Sequence, residues 1–146
     1  MVKEVPALKA QGVRFVVLGD RGALSVSMNE TIDKYMESTA GCSRLTLIIM
    51  LSYSGKWDII QAVNKLRLKE KITEEDIAEN LVTAGFPDPD LIIRTSGEER
   101  LSNYFLWQGA YSELYFTKVL WPDFSKEDYV AALEEYSRRD RRFGKV

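Results

Sequence analysis

Histidine is absent from this 146-residue chain, and cysteine occurs once, at Cys42. These shortages exclude Ser-His-Asp and Cys-His triads, histidine-ligated zinc, Cys-x-x-Cys redox pairs and any disulfide framework. A surplus of either charge is missing too. The 20 basic and 22 acidic residues leave a formal charge of −2, so general polyanion binding, and with it a nucleic-acid partner, is not expected. Long apolar runs are also lacking: Leu45 to Leu51 is interrupted by Thr46 and falls far short of the ~18 residues a membrane-spanning helix needs. Met1 to Pro6 shows no basic segment followed by an apolar stretch, so no secretory signal is read and a cytoplasmic setting is the expectation. What remains is a chain with 45% hydrophobic residues, of a length that suits one domain over 1–146 burying roughly 70% of its unfolded surface. Its chemistry must use carboxylates, arginines, hydroxyls, backbone amides or a hard metal ion.

The hydrophobic pattern predicts an α/β fold. Val13 to Leu18, closed by Gly19-Asp20, and Leu45 to Leu51 read as buried parallel strands, Leu91 to Ile93 as a short third strand and Glu113 to Phe116 as a fourth. Helical periods lie between them. Ser27-x-x-Glu30 resembles a capping box opening a helix with Met28, Ile32, Tyr35 and Met36 on one side, and Ile59, Ala62, Val63 and Leu66 repeat that spacing after Ser54-Gly55. Thr73 with Asp76 predicts a helix running to Gly85, and Ser125 with Asp128 a C-terminal helix carrying Leu133 and Tyr136. The fold expected is a mostly parallel open sheet flanked by helices. Four strands are few for a sheet with helices on both faces, so the sheet looks incomplete on its N-terminal side.

Ligands of open α/β sheets bind beyond the carboxyl ends of the strands, which directs attention to Arg94-Thr95-Ser96-Gly97-Glu98-Glu99-Arg100-Leu101-Ser102-Asn103. Two guanidinium forks, three hydroxyls and a glycine within ten positions suit a phosphorylated ligand. The competing reading is a solvated loop in which both arginines pair with Glu98 and Glu99. Glu113 could offer Mg²⁺ a hard oxygen or simply make an ion pair. Asp88-Pro89-Asp90 reads as a turn. The basic tail Arg138 to Lys145 is either a solvated helix end or an arm that reaches an anion. The aromatic cluster from Trp107 to Phe124 suits core or interface packing, and Cys42 a small inert residue.

Asp90-Leu-Ile-Ile-Arg-Thr-Ser-Gly-Glu-Glu-Arg-Leu-Ser-Asn-Tyr-Phe-Leu-Trp-Gln108, continued by Ala110 to Phe116, by Leu120 to Phe124 and by the closing Arg141-Arg142-Phe143-Gly144, closely resembles the signature of the cis-prenyltransferases, and of their bacterial undecaprenyl diphosphate synthases in particular. A weaker likeness reaches back to Gly12-Val13-Arg14 and Gly19-Asp20. The resemblance implies a Mg²⁺-dependent addition of isopentenyl diphosphate to an allylic diphosphate such as farnesyl diphosphate, with cis double bonds in the product. It further implies that Arg94, Arg100 and Ser102, with the Leu101 backbone, bind the isopentenyl diphosphate. Glu113 would bind Mg²⁺, and Arg142 and Gly144 would match an Arg-x-Gly tail that reaches the partner's site in a homodimer. Release of a lipid product at the membrane surface is a further expectation of the family.

The family's Asp-Gly-Asn-Gly-Arg-Trp-Ala type loop, which carries the catalytic aspartate, and its Ser-Thr-Glu-Asn-Trp type segment do not occur among these residues. The expectation is therefore a C-terminal portion of a synthase with no catalytic residue of its own, inactive or very weak when isolated. The alternative is a non-catalytic partner subunit or an inactive fragment that dimerises with a complete synthase. Ser52-Tyr53-Ser54-Gly55-Lys56 departs from the family's usual Asn-Tyr-Gly-Gly-Arg, and Leu45, Leu47 and Ile49 are the candidates to line a product tunnel.

Overall fold

The structure, a computed structural model, describes residues 4–140. The described residues fall into two compact units that divide between Ala84 and Gly85. In the first, β1 (Val13–Gly19) and β2 (Leu45–Leu51) pair in parallel from Val13 opposite Leu45 to Gly19 opposite Leu51. A parallel pair needs a crossover, supplied by the helix α2 (Val26–Thr39); the chain opens on the short helix α1 (Val5–Ala10). Val5 of α1, Phe15 and Val17 of β1 and Ile32 of α2 form the buried core, with Leu47, Ile49 and Leu51 packed against it. Each such side chain, fully buried, contributes about 1.5–3 kcal/mol. A polar tie fixes the crossover. The buried Thr39 hydroxyl, at the end of α2, accepts the Phe15 amide at 3.0 Å and donates back to the Tyr35 carbonyl at 3.1 Å.

Several local expectations are corrected. The N-cap of α2 is Ser25, whose hydroxyl accepts the Met28 amide; Ser27 lies inside the helix. Of the residues named for a product tunnel, Leu47 and Ile49 are partly buried against the core of this unit, and Leu45, with 59% of its surface exposed, packs little. No residue of β2 is fully buried, despite a composition apolar enough for burial on both faces. The reason is topological: β2 has β1 as its only hydrogen-bonded neighbour among the described residues.

Helix α3 (Gly55–Lys65) starts at Ser54, whose hydroxyl accepts the Trp57 amide, and α4 (Glu74–Asn80) starts at Thr73 in a reciprocal capping box with Asp76. The latter stops at Asn80, five residues before the expected Gly85. Buried Asp58 explains why: its Oδ1 accepts the Val82 amide and the Gln61 side-chain amide, both at 2.9 Å, while Gln61 and Lys65 donate to the Asn80 carbonyl. Groups on α3 thus take over partners that another helical turn would have used. Along α3 the fully buried side chains are Asp58 and Ala62, and Val63 is exposed.

In the second unit, β3 (Leu91–Arg94) and β4 (Glu113–Phe116) are also parallel, from Leu91 opposite Glu113 to Arg94 opposite Phe116. The four strands therefore pair two by two. Helix α5 (Lys126–Ser137) begins with the Ser125–Asp128 capping box; its one fully buried residue is Ala132, and Leu133 is exposed. The mixed α/β class with parallel strands stands as expected. No helix among the described residues is long and apolar enough to cross a membrane.

Gly19 cannot carry a side chain. A Cβ there would lie 1.8 Å from the Leu51 carbonyl oxygen, at a φ of +119°. Gly19→Ala is expected to destabilise the first unit by about 2 kcal/mol or more, read by denaturant unfolding. Asp76 generates a second expectation. Bonded by the Lys69 ammonium and then by the Thr73 amide and hydroxyl, its carboxyl is lowered from 3.8 to about 2. The folded value lies below the unfolded one, so this contribution is complete above about pH 4 and is lost as the pH falls through about 2. An NMR titration of Asp76 should show the low midpoint, and Lys69→Met should move it back towards 3.8.

Candidate functional site

Arg94 ends β3, so the chain leaves the sheet at its carboxyl end with a guanidinium at the exit. The segment that follows is bent by left-handed backbone at Ser96 (φ 73°), Gly97 (71°), Ser102 (49°), Asn103 (62°) and Phe105 (46°). Non-glycine residues in that region cost of order 1 kcal/mol or more each, and persist where surrounding bonds over-determine them. Those bonds are present. The Ser96 and Gly97 amides donate to the Val119 and Thr117 carbonyls, both at 2.8 Å, pinning the loop to the segment after β4. At the far side, the Gly109 amide donates to the Phe105 carbonyl at 2.8 Å, where a Cβ on Gly109 would come within 2.6 Å of that oxygen. Gly97 serves its turn, and among the atoms of this chain a Cβ there would meet only Lys118 at ordinary contact distance.

The loop encloses a cavity of about 340 Å³. Ile92, Ile93, Phe116 and Tyr104 provide apolar surface, while Arg94, Thr95, Ser96, Glu98 and Leu101 bring polar atoms and backbone to it. Tyr104 stacks obliquely on Phe105, ring centres 4.4 Å apart, and burial raises its phenol pKa. The Arg94 guanidinium donates to the Arg100 carbonyl, closing the loop upon itself. The Arg100 side chain, 64% exposed, pairs with Glu98. Both readings of the loop thus have a counterpart: Arg94 stands at a cavity, and Arg100 is neutralised by a loop carboxylate.

Among the expected site residues, Arg94 and Leu101 line one cavity, Arg100 is joined to it through Arg94 and Glu98, and Ser102 is exposed in the turn that follows. Glu113 is not brought there. It starts β4 opposite Leu91, three residue steps, or about 10 Å of strand, from the level of Arg94. Its carboxylate is engaged by Arg139, whose Nη1 donates to Glu113 Oε2 at 2.8 Å and to the Leu114 carbonyl at 2.9 Å, while Nη2 donates to Glu135 at 2.5 Å. Glu135 and then Glu113 raise the Arg139 pKa still further. Arg142 and Gly144 lie outside the described residues. Sequence reading treated Arg139 as one member of a basic tail; the Glu135–Arg139 spacing of four was visible, but the partner across from β4 was not. The aromatic cluster is only partly packed, since Trp121 is 73% exposed although its ring stacks on Phe124.

The family model for undecaprenyl diphosphate synthase matches residues 1–144. The chain belongs to the cis-prenyltransferase family. It is 42% identical over 154 aligned residues to an isoprenyl transferase of Porphyromonas gingivalis, a match taking in 100% of this chain and 61% of that protein. An isoprenyl transferase of Chromobacterium violaceum is 47% identical over 145 residues, 98% of this chain and 58% of its own length. Among solved structures, lavandulyl diphosphate synthase from Lavandula x intermedia, in complex with dimethylallyl diphosphate, superposes with a TM-score of 0.90 at 34% identity, covering 99% of this chain and 65% of that one. A probable undecaprenyl diphosphate synthase from Campylobacter jejuni gives 0.88 at 31%, covering 98% and 68%. This cis-prenyltransferase chain thus spans about three fifths of the length of the curated relatives it matches.

Relieving one strained position should leave the loop intact and firmer. Ser96→Gly is expected to raise the stability of the second unit by up to about 1 kcal/mol, checked by thermal and denaturant unfolding.

Proposed function

We propose that this chain carries the isopentenyl diphosphate half-site of a cis-prenyltransferase that adds isopentenyl diphosphate to an allylic diphosphate such as farnesyl diphosphate. The observation that supports this most is the strained loop after β3, which sets Arg94 beside a partly apolar cavity of about 340 Å³. A diphosphate asks for forked cationic donors and hydroxyls, and a five-carbon tail asks for apolar surface; the cavity lining offers Arg94, Thr95 and Ser96 for the first and Ile92 and Phe116 for the second. Arg100 would join once the anion displaces Glu98 from its guanidinium, an exchange of one anionic partner for another. Ser102 and the Leu101 backbone extend the same rim.

Mg²⁺ belongs to this reading as an ion that arrives with a diphosphate. Among the described residues no group of three or more acidic or cysteine side chains could hold a resident metal. A cation that brings phosphate oxygens and waters needs only one or two protein carboxylates; Glu113 is a hard oxygen donor, but here it is held by Arg139 and stands at the end of the β3–β4 ladder away from Arg94, an arrangement that does not fit an ion shared with a diphosphate at the loop. The residues of this chain bind and orient isopentenyl diphosphate and shield its tail from water; activation of the allylic partner falls to groups outside it. Homodimerisation through the tail carrying Arg142 and Gly144, and product release at a membrane surface, belong to the same proposal.

The share of the relatives' length covered favours a second reading, in which the chain is a non-catalytic partner or fragment that associates with a complete synthase. Incubating the 146-residue chain with labelled isopentenyl diphosphate, farnesyl diphosphate and Mg²⁺ separates the two. Retained label without lipid product is expected, and Arg94→Ala or Arg100→Ala should weaken retention about tenfold or more, since charge-assisted bonds are worth ~1.5–3 kcal/mol each. Retention unchanged in both variants would overturn the half-site and leave the partner reading.

A further inference from the structure

We infer that Tyr104 is a specificity-determining residue of the loop after β3: its ring gives the hydrocarbon tail of a short prenyl diphosphate a surface to pack on, so that the cavity prefers a diphosphate bearing such a tail to the same head without one. The inference rests on the reading of the loop as a diphosphate site and adds to it the residue that reads the tail. The charged and hydroxyl groups of the cavity, Arg94, Thr95 and Ser96, suit only the head. Of the apolar lining, Ile92, Ile93 and Phe116 belong to the strands, and Tyr104 is the aromatic ring that the loop itself contributes.

The backbone around Tyr104 is shaped to hold that ring. Ser102 (φ 49°) and Asn103 (62°) precede it and Phe105 (46°) follows it, all left-handed. Asparagine takes this conformation readily, whereas a bulky phenylalanine rarely does, and strain of this kind gathers where a ligand must be met. Bonds fix the segment on both sides: the Tyr104 amide donates to the Leu101 carbonyl at 3.1 Å, and the Phe105 carbonyl accepts the Gly109 amide at 2.8 Å. The Phe105 ring, its centre 4.4 Å from that of Tyr104 and tilted by 41°, packs against it. Tyr104 nevertheless keeps 39% of its surface exposed, which leaves apolar area for a tail to cover. Covering it takes both ring and tail out of water, a gain that the bare head cannot have. A ring that served only to pack the second unit would matter equally to ligands with and without a tail.

The test is isothermal titration calorimetry on the 146-residue chain with isopentenyl diphosphate and with methyl diphosphate, which carries the same head and almost no tail. The unaltered chain should bind isopentenyl diphosphate more tightly; equal affinities overturn the inference. Tyr104→Ala is expected to weaken isopentenyl diphosphate about fivefold to tenfold and to leave methyl diphosphate within about twofold, while Tyr104→Phe, which keeps the ring, should retain the preference. Equal weakening of both ligands in Tyr104→Ala, or of neither, overturns the inference and leaves the diphosphate site standing. A Tyr104→Phe chain that behaves like Tyr104→Ala overturns packing on the ring as the cause. If the unaltered chain binds neither ligand, the diphosphate site falls and the inference with it. Should Tyr104→Ala fail to fold by circular dichroism, nuclear Overhauser contacts on the unaltered chain decide. Contacts between the Tyr104 ring protons and the isopentenyl methyl group are expected, and their absence at saturating ligand overturns the inference.

Discussion

Four residue pairs, from Leu91 opposite Glu113 to Arg94 opposite Phe116, set the layout of the candidate site. Because the strands run parallel, both carboxyl ends point the same way, and the segments leaving them can bond to each other. They do so where the Ser96 and Gly97 amides reach the carbonyls that follow β4. That pinning holds the left-handed Ser96 and Gly97 in place beside a cavity that Arg94 lines. The same register puts Glu113 at the opposite end of the pair. One short ladder thus divides the charged groups into an arginine end and a carboxylate end.

Charge is balanced locally at both ends. Arg100 pairs with Glu98, and Arg139 sits between Glu113 and Glu135. Exposed pairs of this kind contribute little to stability, at most about 1 kcal/mol each. The charged groups at both ends are thus placed by intramolecular partners of the opposite sign.

The sequence made legible what local chemistry decides. The caps at Thr73 and Ser125 and the limits of β2 and β4 all rest on short patterns. What could not be read rests on contacts between distant positions. The early end of α4 depends on Asp58 reaching Val82, and the engagement of Glu113 depends on Arg139, 26 residues away. The apolar run of β2 suggested burial on both faces, yet burial belongs to the neighbours a strand acquires, and among the described residues β2 pairs with β1 alone. Leu47 and Ile49 show the limit of pattern most plainly: alternation places them on one face, and only packing says that this face meets α1 and α2.

The central claim is that the loop after β3 is a site for isopentenyl diphosphate. Amide chemical-shift mapping by NMR, with isopentenyl diphosphate titrated into the isotopically labelled chain, tests it most directly. The account predicts saturable shifts concentrated from Thr95 to Asn103, with smaller ones at Ile92 and Phe116. Shifts confined to other parts of the chain, or none at millimolar ligand, would contradict it.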